Sequence, residues 1–90
     1  MGNKSVKQTF KAGAPLTLEQ AKALTHGTTL YSTRNHNSDG TCQRWRVSGQ
    51  VKTWKRDSSR VSFPVKYGLY GNDRVTENYL HLLSLEQIAE

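Results

Sequence analysis

The run that decides the fold spans positions 60–67 and reads Arg60-Val61-Ser62-Phe63-Pro64-Val65-Lys66-Tyr67. Apolar and polar residues alternate along it, and a period of two is typical of a strand with one buried face. We therefore expect the valines, Phe63 and Tyr67 to face the core and the intervening residues to face outward. Pro64 has no N–H to donate, so its nitrogen should face solvent or a bulge.

Three more strand-like segments precede this run, and each is rich in β-branched or aromatic residues. They span residues 28–33, 42–47 and 51–55. Trp45 and Val47 fall on one face of the middle segment because successive side chains alternate. Arg44 and Arg46 fall on the opposite face. We predict a tight hairpin turn at residues 48–50.

Helical signals flank the β region. Thr17 and Gln20 have the spacing of a capping box, which predicts a short helix over residues 18–24. A weaker helical pattern follows Thr76. We therefore expect a short helical or 3-10 segment near the C-terminus.

Short strands separated by tight turns predict a mainly β protein, and more closely a small SH3-like antiparallel barrel. The alternative is an OB-fold, which usually has longer strands and a helix between the third and fourth strands. Here only residues 56–59 fill that gap, which favours the SH3-like form. We assign residues 15–90 to this single barrel domain. Residues 1–14, rich in Lys, Gly and polar residues, should form a flexible basic arm.

Basic charge is concentrated where the strands are predicted. The chain carries a net charge of +6, and residues 31–70 hold eight basic residues against two acidic ones. Residues 71–90 are acidic overall. A basic surface attracts polyanions electrostatically, and aromatic rings set in it can stack on bases. The alternative is a solvated surface with an excess of Lys and Arg.

One tryptophan and six cations form the candidate binding face. Lys52, Trp54 and Arg56 share one side of their strand by period two, so Trp54 would be an aromatic platform flanked by cations. The alternative places Trp54 in the core, which would turn Lys52 and Arg56 inward unless a bulge intervenes. The nucleic-acid-binding residues that we predict are Arg44, Arg46, Lys52, Trp54, Arg56, Arg60 and Lys66.

No pattern in the chain indicates catalysis or a metal centre. The polar loop at residues 35–40 has part of the ligand spacing of an EF-hand, but Arg46 stands where a bidentate Glu is required. Cys42 is the single cysteine, so no intrachain disulfide can form, and we expect a buried structural thiol. The acidic residues are scattered, and no pair of them suits general acid–base chemistry. We expect a protein that is not an enzyme and uses no cofactor.

Three blocks of the sequence resemble short proteins of tailed bacteriophages whose function is unassigned. They are Arg44-Trp45-Arg46-Val47-Ser48-Gly49, Lys52-Thr53-Trp54-Lys55-Arg56 and Pro64-Val65-Lys66-Tyr67-Gly68-Leu69. The resemblance covers roughly residues 17–80 and implies a phage origin and a small β-barrel. It also implies a location in the cytoplasm of the infected bacterial host.

Two functions are consistent with these features. The first is a non-catalytic module that binds nucleic acid with low sequence specificity through the basic sheet. The second is a protein-interaction module that binds and modulates an acidic host or phage protein through the same face. No apolar run approaches the roughly 18 residues of a membrane span, so we expect no membrane partner. We expect the protein to be a monomer.

Overall fold

Eight strands and two short helical segments follow one another along residues 9–90, the part of the chain that the computed structural model describes. In chain order they are β1 (Phe10–Ala12), α1 (Leu18–Lys22), β2 (Thr29–His36), β3 (Cys42–Val47), β4 (Lys52–Thr53), β5 (Val61–Tyr67), β6 (Gly71–Thr76), a 3-10 helix (Glu77–Leu82), β7 (Leu83–Ser84) and β8 (Gln87–Ala89). The paired strands are antiparallel. The prediction of a mainly β protein with a short N-terminal helix and a 3-10 segment near the C-terminus is confirmed. No helix in residues 9–90 is long and apolar enough to cross a membrane.

Strand β5 pairs with three other strands of the larger sheet. β6 pairs along one of its edges, and β3 and β4 pair along the other. β2 lies beside β3, and β7 lies beside β2, so the spatial order is β6-β5-β3-β2-β7. Over the described residues this sheet stays open, and the predicted barrel does not close. The 3-10 helix connects the edge strands β6 and β7 and packs against both, where a closing ladder would otherwise lie.

The segment between β3 and β4 is not the tight hairpin that the sequence predicts. Both strands pair with the same edge of β5, so they lie end to end along it. The paired residues are Val47 with Val65 and Lys52 with Ser62. Between these pairs the chain passes Pro64, whose carbonyl oxygen accepts the N–H of Ser48 at 2.9 Å. Because Pro64 has no N–H, the ladder cannot continue there, and the opposing chain bulges.

The alternation along β5 builds the core as predicted. Val61, Phe63 and Val65 are buried, and Phe63 is the largest of the fully buried side chains, whereas Lys66 is exposed. The other buried apolar side chains of this core are Leu16, Ala21, Leu30, Val47, Val75, Leu80 and Leu83. Tyr67, at the end of the strand, is half-buried. The core therefore lies on one face of β5. The opposite face is open to solvent at Lys66 but not at Ser62, which the sequence predicts to face outward and which is 4% exposed.

Strand β1 departs from the prediction of a flexible arm over residues 1–14. It pairs with β8 to form a separate two-stranded sheet. This sheet is tied to the β2–β3 turn, because the N–H of Phe10 donates to the carbonyl of Gly40 at 3.0 Å and His36 Nε2 hydrogen-bonds the Phe10 carbonyl at 2.7 Å. The strand that orders this part of the arm comes from the opposite end of the chain. Residues 1–8 of the predicted arm lie outside the described residues.

Local capping explains the helix and the bend in β2. The N–H of Gln20 donates to Thr17 Oγ1 at 3.1 Å, and the N–H of Thr17 donates to Gln20 Oε1 at 3.0 Å, so the predicted capping box is confirmed. In β2 the register shifts after Tyr31. The buried hydroxyl of Ser32 accepts the N–H groups of Arg34 and Asn35 there. These bonds hold the extra residues of a bulge, which extends β2 beyond the predicted strand.

Candidate functional site

The solvent face of the larger sheet carries a row of cations that we call the basic face. Arg46 on β3 lies directly opposite Lys66 on β5, and Arg44 lies two residues before Arg46 on the same side of β3. Lys52 on β4 lies opposite Ser62, which shares its side of β5 with Lys66. Residues opposite each other in a ladder share a face, so the four cations lie on one side of three strands. The predicted clustering of Arg44, Arg46, Lys52 and Lys66 is therefore present, although the predicted hairpin is not.

Arg74 joins the basic face from β6, and it is not among the residues predicted from the sequence. It lies opposite Pro64, on the same side of the sheet as Lys66, and its Nε donates to Ser62 Oγ at 2.5 Å. The Arg74 side chain thus lies across the face and helps to bury Ser62, which is 4% exposed. In the sequence, Arg74 stands next to the apolar Val75, as expected for a strand with one buried face. This pattern is easily overlooked because residues 71–90 are acidic overall.

A cavity of about 500 Å³, the basic cavity, opens beside Arg46 and Lys66. Arg44 also lines it, together with His26 and the hydroxyl-bearing Ser48 and Thr29. Its remaining walls come from Trp45, Tyr67 and Gly68. The cavity combines positive charge, hydroxyl groups and aromatic surface, which is the chemistry that recognises a phosphate attached to an aromatic base.

Two stacked rings form the aromatic wall of the basic cavity. The Trp45 and Tyr67 ring centroids are 4.8 Å apart, and the ring planes meet at 26°. The Tyr67 ring also covers Gly71, the residue opposite it on β6, because a Cβ built on Gly71 would lie 2.4 Å from the ring. The Tyr67 ring is therefore held between β3 and β6. Because Tyr67 and Gly71 flank the β5–β6 turn, this packing also holds the two ends of the turn.

The ring of Trp54 is flanked by two cations, Lys52 and Arg60, where the sequence predicts Lys52 and Arg56. Trp54 is half-buried and follows β4, in the loop that leads to β5. The Arg60 guanidinium lies 4.1 Å from the ring centroid, and Lys52 Nζ lies 5.1 Å from it. These cation–π contacts occupy ring surface that a stacked base would need. Arg56 is exposed in the same loop, so Trp54, Arg56 and Arg60 form a separate basic loop beside the sheet.

The β5–β6 turn exposes two large apolar side chains. Leu69 is 89% exposed and Tyr70 is 90% exposed. The turn follows Gly68, whose φ of 62° lies in the left-handed region that favours glycine. Because Gly68 also lines the basic cavity, the exposed pair stands next to that cavity. In the sequence Gly68 and Gly71 flank the pair, which indicates a turn or a short strand but not which side chains remain uncovered.

Two carboxylates beside the sheet are engaged by backbone N–H groups. The Ser59 hydroxyl and N–H both donate to Asp57, and they hold the pKa of Asp57 below its ordinary value. The N–H of Val61 donates to Glu77 Oε1 at 3.0 Å and lowers the pKa of Glu77. Both groups therefore stay ionised and serve as hydrogen-bond acceptors for the ends of the β4–β5 loop. A catalytic acid would need the opposite shift.

The polar loop before β3 is an Asx-type turn. Asp39 Oδ1 accepts the N–H and the hydroxyl of Thr41, which lowers the pKa of Asp39. Asn37 Nδ2 donates to the Thr41 hydroxyl at 2.9 Å. Over residues 9–90 no group of three or more His, Cys, Asp or Glu side chains is placed to hold a metal ion. Burial raises the pKa of the Cys42 thiol, so this sulfur stays protonated at neutral pH and is a weak nucleophile.

A second cavity, of about 540 Å³, is also lined by Trp45. Its floor is formed by Val75, Leu82 and Leu83, and Tyr79 and Arg34 also line it. Within the described part of the chain, Trp45 Nε1 is buried and has no hydrogen-bond partner. Trp45 thus lines both cavities.

No protein-family model, curated protein or solved structure matches the chain. The function therefore rests on the chemistry of the basic face and of the residues around it.

Proposed function

We propose that this protein is a non-catalytic module that binds nucleic acid through the basic face, with little sequence specificity. The observation that carries the proposal is the direct cross-strand pairing of Arg46 with Lys66. Like charges opposite each other destabilise a sheet by a few tenths to about 1 kcal/mol. A bound phosphate between them would turn that repulsion into two charge-assisted hydrogen bonds.

The extent of the basic face favours a polymer over a small anion. Cations stand on β3, β4, β5 and β6, from Arg44 at one end to Lys52 and Arg74 at the other. Phosphate contacts made by Arg and Lys side chains carry affinity but no sequence information, which accounts for the low specificity. Arg56 and Arg60, in the loop beside the sheet, would extend the track.

The strand order supports relating this sheet to SH3-like barrels, in an open form. The last strand of the sheet, β7, returns to β2 directly after a 3-10 helix, as the SH3-like arrangement requires. We likewise propose a phage origin and action in the cytoplasm of an infected bacterium, where nucleic acid is abundant. These assignments rest on the sequence blocks around Arg44, Lys52 and Pro64.

Titration against labelled oligonucleotides at several salt concentrations tests the function. Each neutralised phosphate contributes about 0.7 to the log–log salt slope for single strands and about 0.9 for duplex DNA. We expect Arg46→Ala to weaken binding and to reduce the slope by about one contact. Lys11→Ala is the control, since it removes one positive charge at an exposed position of β1, in the separate two-stranded sheet.

Two results would contradict the function. An equal loss for Lys11→Ala and Arg46→Ala would mean that net charge, and not the basic face, sets the affinity. No detectable binding by the unmodified protein near roughly 50 mM salt, where phosphate contacts are strong, would exclude nucleic acid. The basic face would then be assigned to an acidic protein partner, whose carboxylates could neutralise Arg46 and Lys66 in the same way.

A further inference from the structure

The turn between β5 and β6 holds the most exposed large apolar side chains of the described residues. Leu69 and Tyr70 are 89% and 90% exposed, whereas the next aromatic, Tyr79, is 53% exposed. An aromatic ring left almost wholly in water has its full apolar surface available for burial against a partner.

The turn presents Tyr70 from a fixed backbone. Tyr67, which precedes the turn, is stacked on Trp45 and lies against Gly71, which follows the turn. Asn72 Nδ2 also hydrogen-bonds the Tyr70 carbonyl at 3.4 Å. Because the backbone on both sides is already ordered, binding through Tyr70 requires little further loss of conformational entropy.

The turn that carries Tyr70 begins at the edge of the basic cavity. Gly68, two residues before Tyr70, lines the basic cavity, as do Lys66 and Arg46. A ligand that fills the cavity with an anionic group and reaches the turn must therefore carry an apolar or aromatic group next to its charge. A nucleotide has this composition, with its phosphate and base joined through one sugar.

Trp54, the other aromatic candidate, is already engaged. Arg60 and Lys52 lie over its ring, whereas Tyr70 is open to solvent. Resting on the proposed function, we propose that the ligand is single-stranded nucleic acid and that Tyr70 stacks on one of its unpaired bases while a neighbouring phosphate occupies the basic cavity. A single strand offers its base faces freely, whereas a duplex offers them only after unpairing, at a cost of a few kcal/mol.

The test compares Tyr70→Ala with Tyr70→Phe in the full chain. Binding is measured by fluorescence anisotropy with a labelled single strand, the matching duplex, and a single strand of the same length made of abasic nucleotides. Tyr79→Ala is the control for the loss of a less exposed tyrosine. Since Tyr70 is almost fully exposed, its removal should leave the thermal midpoint unchanged, which is checked first.

We expect Tyr70→Ala to weaken binding to the single strand by about 5- to 150-fold, the effect of losing one stacked base. Tyr70→Phe should retain the affinity because stacking needs the ring and not the hydroxyl. Tyr70→Ala should leave the salt slope and the affinity for the abasic strand unchanged. Tyr79→Ala should bind the single strand as tightly as the unmodified protein. Tyr70 ring protons should shift upfield in NMR spectra when the single strand is added.

Three outcomes would overturn the inference. If Tyr70→Ala leaves the affinity unchanged while Arg46→Ala lowers it, nucleic-acid binding stands and the stacking role of Tyr70 fails. If Tyr70→Ala weakens the duplex complex as much as the single-strand complex, the turn acts as a wedge into duplex DNA. If the unmodified protein binds neither oligonucleotide near roughly 50 mM salt, the inference and the proposed function fail together, and the exposed pair is assigned to a protein partner.

Discussion

The ring of Tyr67 stacks on the ring of Trp45, with the two centroids 4.8 Å apart. The contact joins the end of β5 to β3 just beyond Arg46 and Lys66, the last residues at that end that pair between these two strands. It therefore holds the two strands together where their ladder stops. Both rings line the basic cavity, and Trp45 lines the second cavity as well.

Gly71→Ala should displace this stack. A Cβ at Gly71 would lie 2.4 Å from Tyr67 Cε2 and 2.6 Å from the Tyr67 carbonyl oxygen, and the backbone atom cannot move aside as a side chain could. Overpacking of this kind costs about 1–3 kcal/mol, which should lower the thermal midpoint by at least about 4 °C in a domain of this size.

Tyr70→Ala is the control for Gly71→Ala, because it changes the preceding residue, whose side chain is 90% exposed. It should alter the free energy of unfolding by less than about 0.5 kcal/mol. Circular dichroism melts of both variants provide the measurement. Equal midpoints for the two variants would show that Tyr67 can give way, and that the stack does not depend on the glycine.

Local patterns in the sequence predict the elements of this fold better than their pairing. The capping box at Thr17 and the alternation around Phe63 each involve neighbours along the chain, and both are present in the structure. The hairpin predicted after Val47 is absent because Pro64, far along the sequence, interrupts the ladder that β3 and β4 share. The pairing of β1 with β8 depends equally on residues at opposite ends of the chain.

The candidate site follows the same rule. Period two places Arg44 and Arg46 on one face, and the register of β5 adds Lys66 to them. The contact between Trp54 and Arg60 could not be predicted, because Arg60 lies across a loop whose path no local pattern determines. Arg74 is absent from the predicted set because its charge is counted with the acidic residues 71–90.

Deleting residues 1–13 should destabilise the protein because it removes β1. The N–H of Phe10, which donates to Gly40, and the hydrogen bonds to β8 are all lost. Each hydrogen bond contributes about 0.5–1.5 kcal/mol net, so the midpoint should fall by several degrees. Deleting residues 1–8 leaves every described contact in place and is the control. Identical melting curves for the two truncated proteins would mean that the β1–β8 sheet adds no stability.

Acid should weaken the contact between Glu77 and the N–H of Val61. The pKa of Glu77 is lowered from its ordinary value of 4.5, chiefly by this hydrogen bond. The ionised carboxylate therefore stabilises the fold above pH 4.5, and this stabilisation is lost as the pH falls from 4.5 through the lowered pKa. Glu77→Gln keeps an oxygen acceptor but has no charge to lose.

Urea denaturation of Glu77→Gln and the unmodified protein, from about pH 7 to about pH 3, measures this effect. The unmodified protein should be the more stable at neutral pH, and its advantage should shrink below pH 4.5. Asp39, whose pKa is also lowered, is present in both proteins and cancels in the comparison. A difference that stays constant over the whole range would contradict the role of the Glu77 charge.

Trp54→Ala should affect stability more than single-strand binding. The substitution removes the ring under Arg60 and Lys52, and each exposed cation–π contact is worth about 0.5–1 kcal/mol. Trp54→Phe, which keeps a smaller ring, should recover part of the lost stability. The affinity for a single-stranded oligonucleotide should change by less than the loss caused by Tyr70→Ala. A loss of affinity larger than that of Tyr70→Ala, in a variant with an unchanged thermal midpoint, would instead make Trp54 the stacking residue.

Lys66→Glu should make the protein more stable and a weaker binder. The substitution replaces a like-charge pair across β3 and β5 with a pair of opposite charge, in which the introduced carboxylate faces Arg46. Opposite charges in such a pair contribute roughly 0.2–1 kcal/mol, so the midpoint should rise by up to several degrees. The new carboxylate should at the same time repel phosphate from the basic cavity and lower the salt slope by more than one contact.

Lys66→Gln separates the two effects of Lys66→Glu, since it removes the repulsion from Arg46 without adding an attraction. It should lie between the other two proteins in both stability and affinity. Thermal melts and oligonucleotide titrations on the same three proteins give the comparison. A stability that rises from Lys to Gln to Glu while the affinity falls in the same order is the signature of a charge pair kept for binding and not for folding. If stability and affinity fall together, Lys66 supports the fold, and its pairing with Arg46 is no evidence for phosphate binding.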